Sequence, residues 1–187
     1  MKTIKLTLMA FFLVLFAFWP SLSQAFELNV GATLGFQMSS NISLGQSTGT
    51  SLFGSLFVQT DVGKDFMIGL GYQGGTSLSK GSGGTAPDIT VWKLSGLEIQ
   101  VSYERPLKDV TPYAALALGR FRIKPEASAP DSRFSIAFIA GFNAELSKSF
   151  SGLFELRYAI LSFQPEGDRL NLSGFRISIG GALTFDL

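Results

Sequence analysis

The stretch Ile177–Leu187, ISIGGALTFDL, decides the fold. Ile177, Ile179, Gly181, Leu183, Phe185 and Leu187 fall on one face of an extended chain. Ser178, Gly180, Ala182 and Thr184 fall on the other. Strand side chains alternate between two faces, so this period of two marks a strand set between two different environments. Most termini are polar and fray into water. A terminal strand this apolar needs pairing along both edges. The other candidate with the same pattern is Phe26–Met38, FELNVGATLGFQM, which places Phe26, Leu28, Val30, Ala32, Leu34, Phe36 and Met38 on one face. Pairing these two segments closes a barrel and leaves no edge strand.

Working outward, period two recurs and the i, i+3, i+4, i+7 spacing of an amphipathic helix does not. Eight strands are predicted, over 26–38, 51–62, 66–78, 90–104, 112–124, 133–146, 152–163 and 172–187. In the fourth, Trp92 and Leu94 are out of phase with Leu97, Ile99, Val101 and Tyr103. A bulge at Ser95-Gly96 is expected to absorb the difference. Residues 39–50, 79–89, 125–132 and 164–171 form longer connections; 63–65, 105–111 and 147–151 form short turns. Long and short connections alternate, as in an up-and-down meander with short periplasmic turns and longer external loops.

Residues 1–25 stand apart. Met1–Lys5 is basic, Leu6–Trp19 is uncharged and apolar, and Ser23-Gln24-Ala25 supplies a small-residue exit. This is the form of a secretory signal peptide, with cleavage expected after Ala25. The alternative, a membrane anchor, is short: such a helix rises about 21 Å against a hydrocarbon core of about 30 Å. The mature chain, residues 26–187, is then one barrel domain. Lys2 and Lys5 lie in the leader, so 13 of the 15 basic residues remain against 14 acidic ones, a net charge of −1. That balance gives no electrostatic case for nucleic acid.

The polar face of the strands is largely Gly, Ser, Ala, Asn and Gln, which suits a narrow lumen better than a watered surface. A soluble lipocalin-like barrel, the rival reading, keeps its apolar side inward and charges outward. Charges inside the predicted strands, away from their ends, are Lys93, Glu98, Glu104, Arg120, Arg122, Glu145, Glu155, Arg157 and Arg176. All nine are assigned to the lumen, because an Arg or Lys facing lipid at mid-bilayer costs about 2–4 kcal/mol. Counting from the turn near Lys108 places Glu98 opposite Leu118 and diagonal to Arg120. Glu155 and Arg157 point the same way, with Arg176 on the neighbouring strand. Eight strands leave room for little but side chains, so a salt-bridged plug is expected, with an ion path as the alternative. Aromatics gather toward strand ends: Phe66, Tyr103, Tyr113, Phe150 and Phe185 on the turn side, and Tyr72, Trp92, Phe121, Phe134 and Phe175 on the loop side. Two interfacial girdles are expected.

The segment Tyr103–Gly119, YERPLKDVTPYAALALG, is similar to a strand–turn–strand of the small eight-stranded outer-membrane proteins, the group of the OmpA transmembrane domain, OmpX and the opacity-type barrels. Phe154–Ile160, FELRYAI, resembles the seventh strand of that group. The resemblance implies an all-β, eight-stranded antiparallel transmembrane barrel in the outer membrane of a Gram-negative-type cell. It implies outer-membrane lipid and lipopolysaccharide as surroundings, and the barrel-assembly machinery and periplasmic chaperones as partners in biogenesis. Such chains usually end on Phe or Trp as an assembly signal. Here that role falls to Leu183, Phe185 and Leu187, with the aromatic displaced from the last position.

Histidine and cysteine are both absent. A Ser-His or Asp-His enzyme cannot be built, and neither can a disulfide or a thiolate metal site. No catalytic residue, cofactor or metal ligand is assigned; the spacing of Asp131, Glu166 and Asp168 asks for no Ca²⁺. The expected function is a non-enzymatic envelope barrel with a structural or surface-contact role, with a small-solute channel as the alternative.

Overall fold

The computed structural model describes residues 27–39, 49–80, 89–124, 131–163 and 170–186. The leader, most of the longer connections and Leu187 lie outside the described residues. The strands are β1 (Glu27–Ser39), β2 (Gly49–Asp61), β3 (Phe66–Lys80), β4 (Ile89–Glu104), β5 (Val110–Lys124), β6 (Asp131–Ser147), β7 (Phe150–Ile160), β8 (Ser162–Phe163), β9 (Leu170–Asn171) and β10 (Gly174–Asp186). Eight of them close a barrel in the order β1-β10-β7-β6-β5-β4-β3-β2. Every neighbouring pair is antiparallel. The short β8–β9 hairpin stands apart from the barrel wall, in the connection between β7 and β10.

Closure falls where the terminal pattern places it. β10 runs against β1 from Glu27↔Asp186 to Ser39↔Gly174 without interruption, so Leu183 meets Val30 and Ile179 meets Leu34. The outer face is apolar around the wall: Leu34, Phe36, Leu56, Leu70, Ile99, Leu118, Phe138, Ile160, Ile179 and Leu183 are all exposed. Apolar surface that extensive is not left in water by a soluble protein. It suits hydrocarbon, and the soluble-carrier reading falls.

Two sequence expectations change. β4 pairs continuously with β3 and β5, so there is no bulge at Ser95-Gly96. The one register shift among these pairings lies between Glu145 and Ser147, opposite Phe150. Leu94 points inward and Lys93 outward, in phase with the rest of β4. The aromatic girdles also thin. Tyr113 is half-buried on the inward face and Phe121 is buried inside. Phe66 and Tyr103 pack edge-on at 5.3 Å, and Tyr158 and Phe175 lie tilted against each other at 4.8 Å, on the outer surface. The side chain of Trp92 is outside the described residues.

Candidate functional site

The lumen is filled in layers. At the end bearing the longer connections, Phe53, Leu94, Phe121, Ile123, Leu161 and Leu172 form one buried apolar cluster. Leu161 and Leu172 follow β7 and precede β10, and the backbone turns them inward together. The Leu172 amide donates to the Leu161 carbonyl at 2.8 Å, and the Gln37 side chain donates to the Leu172 carbonyl at 2.7 Å. Ile123 has no exposed surface (0%). The result is an apolar cap across the barrel mouth.

Below the cap lies a charged layer. Arg157 on β7 donates through both terminal nitrogens to the two carboxylate oxygens of Glu98 on β4, with Nη1–Oε1 at 3.0 Å. Their side chains are 5% and 6% exposed. Gln73 donates to Glu98 Oε1 at 2.5 Å and accepts from Arg176 Nη1 at 2.9 Å. The Arg176 guanidinium also sits 5.0 Å from the centre of the Phe53 ring, joining this layer to the cap. Glu155 stands on the same face of β7 as Arg157, and Tyr113 lies in the same row two strands away, across Gly141. Two arginines thus lie among two carboxylates. Burying an unpaired charge is costly, whereas a bidentate, hydrogen-bonded pair is tolerated.

Toward the short turns the lumen is polar. A cavity of about 30 Å³, room for about one water, is bordered by Gln59, Gln100, Glu104, Tyr113, Asn143 and Glu155. The walls are close. A Cβ on Gly31 would stand 2.8 Å from the Gly181 carbonyl oxygen, and one on Gly141 would stand 2.7 Å from the Tyr113 ring. Glycine at these places lets large side chains fill the interior.

Of the nine charges assigned to the lumen, Glu98, Glu155, Arg157 and Arg176 come together in its middle. Glu104 is half-buried at the turn end, and Glu145 shares the inward phase of β6 but is exposed at the rim. Lys93, Arg120 and Arg122 are corrections. All three are exposed on the outer face, and Glu98 lies opposite Gly119 while Arg120 lies opposite Leu97. The assignment assumed a polar inside and an apolar outside along each whole strand. At the loop end the two are exchanged: Leu94, Phe121 and Ile123 fill the mouth, and the cations on alternating positions point out. Gln73 and the cap residues were not singled out by sequence. The signal was present in Phe53, Leu94, Phe121 and Ile123, apolar residues out of phase with the lipid-facing positions of their own strands.

Among the described residues no group of three or more His, Cys, Asp or Glu side chains could hold a metal ion. The family model described as outer membrane protein beta-barrel domain matches residues 9–182. Among solved structures, the chain is similar to Neisserial surface protein A with a TM-score of 0.61 at 16% identity, covering 87% of this chain and 100% of that one. It is similar to the N-terminal β-barrel domain of Pseudomonas aeruginosa OprF with a TM-score of 0.52 at 14% identity, again over 87% of this chain and 100% of that one. At these identities the likeness is one of fold. A comparison with curated protein sequences finds no match.

Proposed function

Because the chain belongs to the outer membrane β-barrel family, we propose that it is a non-enzymatic envelope protein whose barrel is closed to solutes and whose role is structural or in surface contact. It is exported with cleavage after Ala25 and assembled with periplasmic chaperones and the barrel-assembly machinery, to which Leu183, Phe185 and Leu187 present the closing strand. Its standing partners are outer-membrane lipid and lipopolysaccharide.

One observation carries this reading: the bidentate Arg157–Glu98 pair crosses the lumen directly beneath an apolar cap. A conducting path needs a continuous wet route. Here the polar half of the lumen ends at a layer of Phe, Leu and Ile side chains, which offers ions no hydrogen-bonding groups. The absence of histidine supports the non-enzymatic part, since no imidazole is available to activate a serine.

Cells lacking the protein test the reading. They are expected to become more sensitive to detergent, and resistance returns when the wild-type chain is supplied. A strain that keeps its detergent barrier but loses uptake of a small solute would overturn it in favour of the channel.

A further inference from the structure

The outward-facing positions of β5 change character along the strand. Leu116 and Leu118 are exposed and apolar; Arg120, Arg122 and Lys124 then follow at every second position, all exposed. The neighbouring strands extend this into a surface. Register sets Tyr72, Leu97, Arg120 and Phe134 in one row, and Gly74, Ser95, Arg122 and Ser132 in the next. Above them, Thr76, Lys93 and Lys124 form a third row. Four cations therefore share one outer face, and among the described residues no carboxylate stands in those rows. Successive outward positions are about 7 Å apart along a strand, and neighbouring strands about 5 Å apart, so one multiply charged anion can touch several of these groups.

The depth of the surface identifies the anion. Along β4, Tyr103 marks the lower end of the outer apolar run, which continues through Val101, Ile99 and Leu97; Lys93 lies above it, beyond Ser95. The intervening chain rises about 34 Å along the strand, or about 26 Å along the axis at a tilt of about 40°. The apolar band of such barrels is about 25 Å tall, which sets Lys93 and Lys124 at headgroup level. Phe134, 81% exposed, lies beside Arg120 in the lowest row together with Leu97 and Tyr72. The surface is thus cationic above and apolar below, shaped for a molecule whose phosphates sit above acyl chains. Gly74 and Ser95, small and adjacent, leave the approach to Arg122 open.

We propose that Lys93, Arg120, Arg122 and Lys124 form a docking site for the phosphate groups of a phosphorylated glycolipid in the external leaflet. This rests on the lipid-contact part of the function proposed above and locates it on one side of the barrel. It does not depend on the lumen being closed.

The test uses the refolded mature chain in phosphatidylcholine vesicles, titrated with diphosphorylated lipid A, with the same lipid A stripped of phosphate, or with inorganic phosphate. The readout is the temperature at which the folded, heat-modifiable band is lost. The expected result is stabilisation by the diphosphorylated lipid alone, weakened about fivefold in apparent affinity for each cation changed to Gln, and weakened further by salt. Equal stabilisation by the stripped lipid, or by free phosphate, overturns the proposal. So does unchanged affinity in the variant carrying Lys93→Gln, Arg120→Gln, Arg122→Gln and Lys124→Gln. If that variant does not fold, the comparison of phosphorylated and stripped lipid on the wild-type chain decides. Failure of the chain to insert into vesicles at all would instead contradict the membrane reading itself.

Discussion

Arg157 on β7 grips both carboxylate oxygens of Glu98 on β4, although β5 and β6 separate those strands around the wall. The pair therefore spans the lumen, tying opposite walls together. Removing one partner strands a buried charge, which costs about 3–5 kcal/mol. Glu98→Gln or Arg157→Leu is expected to lower the urea midpoint of the refolded barrel substantially. Replacing both, as Glu98→Leu with Arg157→Met, is expected to restore most of the loss. A midpoint unmoved by either single change would mean the pair holds nothing.

The apolar cap is expected to behave as a core. Phe121 is buried against Leu94 and Ile123, and Phe→Ala in such a setting costs about 3–5 kcal/mol. Phe121→Ala should therefore destabilise the barrel by a similar amount. Leu118→Ala, three residues before Phe121 but on the lipid face, should cost much less. Equal losses would place the two side chains in equivalent surroundings.

Close packing makes a small addition harmful. A Cβ on Gly96 would stand 2.7 Å from the Arg120 carbonyl oxygen and 2.7 Å from the Phe121 ring. Gly96→Ala is expected to cost about 1–3 kcal/mol through overpacking, read from the melting of the heat-modifiable band. An unchanged melting temperature would show that the wall yields there.

The exchange of faces at the loop end can be read directly, because the chain contains no cysteine. Single cysteines at Ile123 and Lys124, the pair at headgroup level, are expected to differ toward a membrane-impermeant maleimide: the first protected, the second labelled. Protection of Lys124→Cys with labelling of Ile123→Cys would return the cations of this face to the lumen.

The closing strand is a separate matter. Leu183 and Phe185 are exposed on the outer face of β10. Truncation that removes Phe185–Leu187 is expected to block assembly, leaving protease-sensitive chain in the periplasm. Efficient insertion of the truncated chain would remove this segment from the assembly signal.

Strand number, closure and lipid face were legible because alternation in β1 and β10 obeys one rule from end to end. Ile177, Ile179 and Leu183 face out while Ser178 and Ala182 face in, as their spacing demands. The rule failed on β4 and β5. Period two says which residues share a face; it does not say which face is inside. Choosing the inside by polarity works only while the outside is hydrocarbon. Where β5 nears the upper edge of the apolar band, Arg120 and Arg122 face outward with long side chains that reach toward the headgroups, and Phe121 and Ile123 find their burial in the lumen. Glu98's partner was also hidden. Arg157 is distant in sequence and not on an adjacent strand, so only closure of the barrel brings the two together.

The closed lumen is tested most directly by single-channel recording of the refolded barrel, residues 26–187, in a planar bilayer. The wild-type barrel is expected to give a flat baseline across the applied voltages. Stable, uniform conductance steps from folded wild-type protein would contradict a lumen sealed by Arg157–Glu98 and the cap above it.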